Sequence, residues 1–146
     1  MAARASSLTA AAAIAVLLVA AAGPVAAKGN RGPTVVSANC HGHSFKPGRI
    51  ILACGDAGLL VEHLSWKSWG RSEADGVGTG VAKTCRPNCA AGGTKSASME
   101  VRLLKPQRCA QDQRVHFTRI RYRWANGSPV EGQPDKGVVR SPCSAV

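Results

Sequence analysis

Six cysteines, Cys40, Cys54, Cys85, Cys89, Cys109 and Cys143, constrain this chain more than any other feature. They all follow an apolar N-terminal stretch, and an even number suits an oxidising compartment, where a small domain is stapled by disulfides. Three bridges are expected. Sequence alone leaves their connectivity open; the preferred set joins sequential neighbours, Cys40 with Cys54, Cys85 with Cys89 and Cys109 with Cys143.

The stretch ahead of the cysteines reads as an export signal. Arg4 precedes an uncharged run from Leu8 to Ala22, Gly23-Pro24 interrupts it, and Val25-Ala26-Ala27 supplies the small residues that signal peptidase requires. A signal peptide over residues 1–27, cleaved after Ala27, is therefore expected. A membrane span needs about 20 apolar residues, and this run is shorter and mostly alanine. No membrane span is expected after cleavage, and no lipidation motif is present. Residues 28–146 suffice for one domain with a modest core. Residues 28–39 read as a flexible lead-in and residues 40–146 as the folded unit.

Lysine and arginine total 19 against 8 aspartates and glutamates, a formal charge of +11, of which the leader removes only Arg4. Outside the cell such a surface attracts anionic envelope polymers, acidic polysaccharides and lipid headgroups, and nucleic acid only nonspecifically.

Short apolar segments alternate with turn residues through the folded part. Five strands are expected, at Arg49 to Cys54, Leu59 to Trp66, Gly76 to Thr84, Ser96 to Lys105 and Arg114 to Trp124. Between them Lys46-Pro47-Gly48, Gly55-Asp56-Ala57-Gly58, Trp69-Gly70, Ala91-Gly92-Gly93 and Lys105-Pro106-Gln107 carry turn chemistry. The period is two: Met99, Val101 and Leu103 share one face while Glu100 and Arg102 take the other. This pattern predicts an all-β fold, a small disulfide-braced antiparallel β-sandwich or barrel-like domain. Gly127 to Pro142 reads as a surface tail pinned by Cys143.

No motif for catalysis, a cofactor or a metal survives scrutiny. Cys85-Arg86-Pro87-Asn88-Cys89 lacks the spacing of a redox or zinc pair and suits a local bridge around a tight turn. His41, His43, His63 and His116 would form a metal site only if distant segments converged, which nothing in the sequence indicates. Asp56, Glu62, Glu73 and Asp75 are carboxylates of the type a hydrolase pairs, but Asp56 sits in a turn where such a group caps an amide. Gly76-Val77-Gly78-Thr79-Gly80 lacks the lysine of a phosphate-binding loop and reads as close packing within a strand.

Two features remain as candidate binding elements. Trp66 reads as core, whereas Trp69, beside the Trp69-Gly70 turn, is a candidate surface aromatic. Arg119, Arg121 and Arg123 alternate with Ile120, Tyr122 and Trp124. On an extended strand this places three guanidiniums about 7 Å apart on one face, an anion-binding candidate.

Several segments together resemble a group of small secreted proteins of high-GC Gram-positive, actinobacterial type. They are Pro47 to Asp56, Leu64-Ser65-Trp66 with Trp69-Gly70, Gly76 to Gly80, and Cys85 to Ala90. The resemblance implies export and a compact β-rich domain and brings no catalytic residues with it. The expected function is a secreted, noncatalytic extracellular or envelope-associated binding protein with a basic surface for anionic polymers. The alternative is a secreted inhibitor of an extracellular enzyme, presenting the Cys85 to Cys89 loop to a protein partner. Salt-dependent retention on cell wall or polyanion would separate the first from the second, and inhibition of culture proteases would favour the second.

Overall fold

A computed structural model describes residues 32–141 and 143. The expected signal peptide and its cleavage site lie outside the described residues. The strands are β1 (Val36–Ser37), β2 (His43–Ser44), β3 (Arg49–Ile51), β4 (Leu59–Trp69), β5 (Ala74–Lys83), β6 (Thr94–Arg108), β7 (Val115–Trp124) and β8 (Lys136–Arg140). No helix occurs among the described residues, and so none long and apolar enough to cross a membrane.

Strands β3 to β8 form one antiparallel sheet in strict chain order, and β1 pairs with β2 in a two-stranded ribbon. The larger sheet curls into a half-barrel. The segment ahead of β2 stitches its ends: Val35 bonds to Val115 and Phe117 through the backbone, while Ile51 N–H donates to the Ala38 carbonyl. Thr34 to Ala38 are accordingly buried. The expected flexible lead-in is thus corrected, because part of it belongs to the fold.

Alternation at period two decides which face is covered. Leu103 stands opposite Ile120, Val101 opposite Tyr122 and Met99 opposite Trp124, and all six are buried. Val36, Ile50, Leu52, Val61, Leu64 and Phe117 join them in the core. Strand β5 contributes only the small side chains of Ala74 and Ala82. A Cβ on Gly80 would lie 2.5 Å from Trp124 Cζ3 and 2.6 Å from Met99 Cε, so the glycine admits the indole against the strand.

All three disulfides join sequential cysteines: Cys40–Cys54, Cys85–Cys89 and Cys109–Cys143. Two strand expectations need correction. Lys105-Pro106-Gln107 lies inside β6, not in a turn. Strand β5 stops pairing at Leu103, so from Leu104 onward β6 has only β7 beside it, and the N–H that Pro106 lacks is not needed on the open side. The tail from Gly127 is not wholly irregular either, since β8 pairs with β7 from Arg119–Arg140 to Arg123–Lys136.

Candidate functional site

The exposed face of the sheet is where the arginine ladder lies. Arg119, Arg121 and Arg123 are exposed and alternate with buried Ile120, Tyr122 and Trp124, as the period requires. Register extends this row sideways: Arg119 is opposite Leu104 and Arg140, Arg121 opposite Arg102 and Val138, and Arg123 opposite Glu100 and Lys136. Acids neutralise part of the face. Arg123 pairs with Glu100 at 2.7 Å, and Arg102 with Glu73 at 2.8 Å and Asp75 at 3.4 Å. The Glu73 hydrogen bond, followed by the charges of Asp75 and Glu73, holds the Arg102 guanidinium above its ordinary pKa.

Arg119, Arg121, Lys136 and Arg140 make no ion pair among the described residues. Of the expected triad, Arg123 is ion-paired to Glu100, and Arg140, which sequence reasoning missed, stands opposite Arg119. Two concavities open here. One of about 790 Å³ is flanked by Arg121, Arg102, Lys136 and Val138, the last 57% exposed. The other, about 710 Å³, is lined by Arg119, Arg140, Lys105 and Ser141. The buried Ser141 hydroxyl has no hydrogen-bond partner among the described residues.

Trp69 is not the open aromatic platform expected. Its ring packs edge-on against Trp66, Phe45 and Phe117, with centroids 4.5, 5.4 and 5.7 Å away. The indole N–H donates to the Thr34 carbonyl at 3.0 Å, and that of Trp66 to Pro47 at 2.9 Å. Both tryptophans plug the end of the core where β1 crosses, leaving Phe45, 50% exposed, as the outermost ring. Asp56 takes the turn role expected, its carboxylate accepting the Gly58 N–H at 2.8 Å.

The histidines behave differently from the sequence expectation. His41 and His63 are exposed, and His43 on β2 and His116 on β7 meet with ring centroids 4.0 Å apart. Asp112 joins them from the hairpin between β6 and β7, its carboxylate 2.7 and 3.0 Å from His116 Nε2. One ligand-type atom from each of the three lies within 4.8 Å of the others, so these residues can hold a metal ion. Partial burial opposes ionisation of Asp112. Hydrogen bonds from the Arg114 N–H and His116, with the charges of His116 and His43, outweigh it and hold the carboxyl below its usual range. The convergence was invisible in sequence because β1, which carries β2 with it, reaches β7 only through the curl of the sheet. No family model, curated protein or solved structure matches the chain.

Proposed function

We propose that the protein is an exported, noncatalytic binding protein whose exposed sheet face holds anionic polymers of the cell envelope. The observation that carries this reading is the Arg119–Arg140 cross-strand pair: two exposed arginines stand opposite each other in register, neither ion-paired among the described residues, beside a concavity. Like charges directly opposite destabilise a sheet, so an unneutralised pair calls for an external anion. Guanidinium forks suit phosphate and carboxylate, and strand-borne arginines lose less freedom on binding than loop side chains do. Export is the companion proposal, supported by the leader pattern and by three disulfides.

Retention on an immobilised polyphosphate-type polymer over a salt gradient tests it. A variant with Arg119, Arg121 and Arg140 replaced by serine should elute at lower salt and show a shallower salt slope, by about one unit per lost phosphate contact. A control with Lys46, Arg86 and Lys95 replaced by serine changes charge equally, away from this face. Equal losses in both would reduce the face to ordinary net charge, and no retention at low salt would remove the reading.

A second reading, inhibition of an extracellular enzyme, draws on one feature. The Cys85–Cys89 loop is exposed, closed by its own disulfide and braced by Asn88, which accepts the Ala90 and Ala91 N–H groups at 3.1 and 2.9 Å. Assay against proteases of the surrounding medium separates it from the first.

A further inference from the structure

We infer that His43, Asp112 and His116 form a binding site for a zinc-type divalent transition ion, separate from the basic face. Two distant parts of the chain supply the donors: β2 carries His43, and the β6–β7 hairpin running into β7 carries Asp112 and His116. Two imidazoles and one carboxylate are a donor set that zinc takes with a position left open for water or an anion. Hard ions such as magnesium and calcium prefer all-oxygen shells and fit it poorly.

The fold holds each donor in place. His116 is fully buried, with Val35 bridged to it through the backbone. The Asp112 hairpin is closed by the Cys109 N–H to the Arg114 carbonyl at 2.9 Å and by Gln113 N–H to Cys109 at 3.0 Å, and Cys109 is disulfide-bonded to Cys143. Asp112 receives the Arg114 N–H at 3.0 Å, which aims the carboxylate towards His116.

The spacing suits an ion. Two ligands at about 2.0–2.1 Å from a tetrahedral zinc stand about 3.3 Å apart. His116 Nε2 and Asp112 Oδ2 are at 2.7 Å, so binding replaces their hydrogen bond and opens the pair by little more than half an ångström. Asp112 lies on an exposed hairpin and can make that movement.

Solvent reaches the site through a concavity of about 450 Å³ that His43 and Asp112 line together with Arg108 and Arg114. Those arginines oppose a bare cation. Arg108 is turned to the Gln113 carbonyl at 2.6 Å, and the pair is suited to hold an anionic group on the open position of a bound ion.

The test is a titration of the oxidised protein, with its three bridges intact, with Zn²⁺ after chelator treatment. One saturating equivalent is expected. His43→Ala and Asp112→Ala should each weaken it at least tenfold, whereas a His41→Ala/His63→Ala double variant should retain it. Imidazole nitrogen resonances of the unmodified protein supply an independent readout: with one equivalent of Zn²⁺ the signals of two of the four histidines should move, those of His43 and His116. This readout remains valid if a variant fails to fold. Absence of saturable binding, movement of His41 and His63 signals instead, or equal weakening in the double variant would overturn the site. Polyanion retention without zinc binding overturns this inference alone, and zinc binding without retention overturns only the polymer reading.

Discussion

Arg119 on β7 and Arg140 on β8 are registered directly opposite each other on the exposed face, with no acid paired to either among the described residues. Arg102 and Arg121 form a second such cross-strand pair, but Glu73 and Asp75 compensate Arg102. The two pairs have the same register and opposite electrostatic treatment.

Arg140→Glu should therefore raise stability and weaken binding together. An opposite-charge cross-strand pair contributes about 0.2–1 kcal/mol, so the denaturation midpoint should rise slightly at low salt while polyanion retention falls. A variant that loses both stability and retention would show that Arg140 is held by something other than this pairing.

Gly80→Ala should destabilise the fold by about 1–3 kcal/mol, the usual cost of overpacking. Its Cβ would meet the buried Trp124 ring and the Met99 methyl, and neither has open space to retreat into. Gly93→Ala, which would meet nothing within 4 Å, is the matched control and should leave the denaturation midpoint near that of the parent. Equal effects from both would mean that the indole does not rest on β5.

Tyr122 is the one tyrosine, so phenolate absorbance reports it alone. Burial raises its pKa above 10.0, because the phenolate is the form disfavoured by desolvation. The unfolded chain ionises at about 10, while the folded chain keeps its proton to higher pH. In that window the native state holds more protons, so this contribution to stability is complete below the unfolded value and is lost as pH rises through the folded one. Alkaline titration should give a midpoint above that of the denatured protein, and Tyr122→Phe should lessen the alkaline loss of stability. A native midpoint at or below the denatured one would contradict the burial.

Removal of individual bridges should rank by loop length. On chain-entropy grounds, replacing Cys109 and Cys143 by alanine costs about 4 kcal/mol, and replacing Cys85 and Cys89 about 2 kcal/mol. The underlying separations are 34 and 4 residues. Denaturant midpoints of the two double variants give the order, and intact mass before and after alkylation should show no free thiol in the parent. The reverse order would place the greater constraint in the short loop.

Much of the sheet was legible because strand alternation is a local signal. Met99, Val101 and Leu103 against Glu100 and Arg102 define the buried face of β6 without reference to any partner. Strand β8 escaped notice because its outward positions, Lys136, Val138 and Arg140, alternate with a glycine and a single valine, too little apolar pattern to mark a strand. Arg140 was missed with it. The role of Trp69 depended on Phe117 and Thr34, far away in the chain, and the meeting of His43 with His116 depended on sheet curvature, which no local pattern encodes. The proline of β6 misled for a related reason: a turn residue is tolerated in a strand when the neighbouring strand has already ended, and register alone reveals that.

The pairing of each cysteine with the next one along the chain bears on how the molecule is made. In a polypeptide that meets its oxidant N-terminus first, Cys54 is the first partner to reach Cys40, and Cys89 follows Cys85 within a few residues. Cys109 then waits for Cys143 with no other unpaired thiol ahead of it. Order of emergence and order of bonding coincide, so no bridge has to be broken for a later one to form. Each newly emerged strand likewise finds its partner already waiting at the growing edge of the sheet. Such a chain can acquire all three bridges in order of synthesis, without a disulfide isomerase.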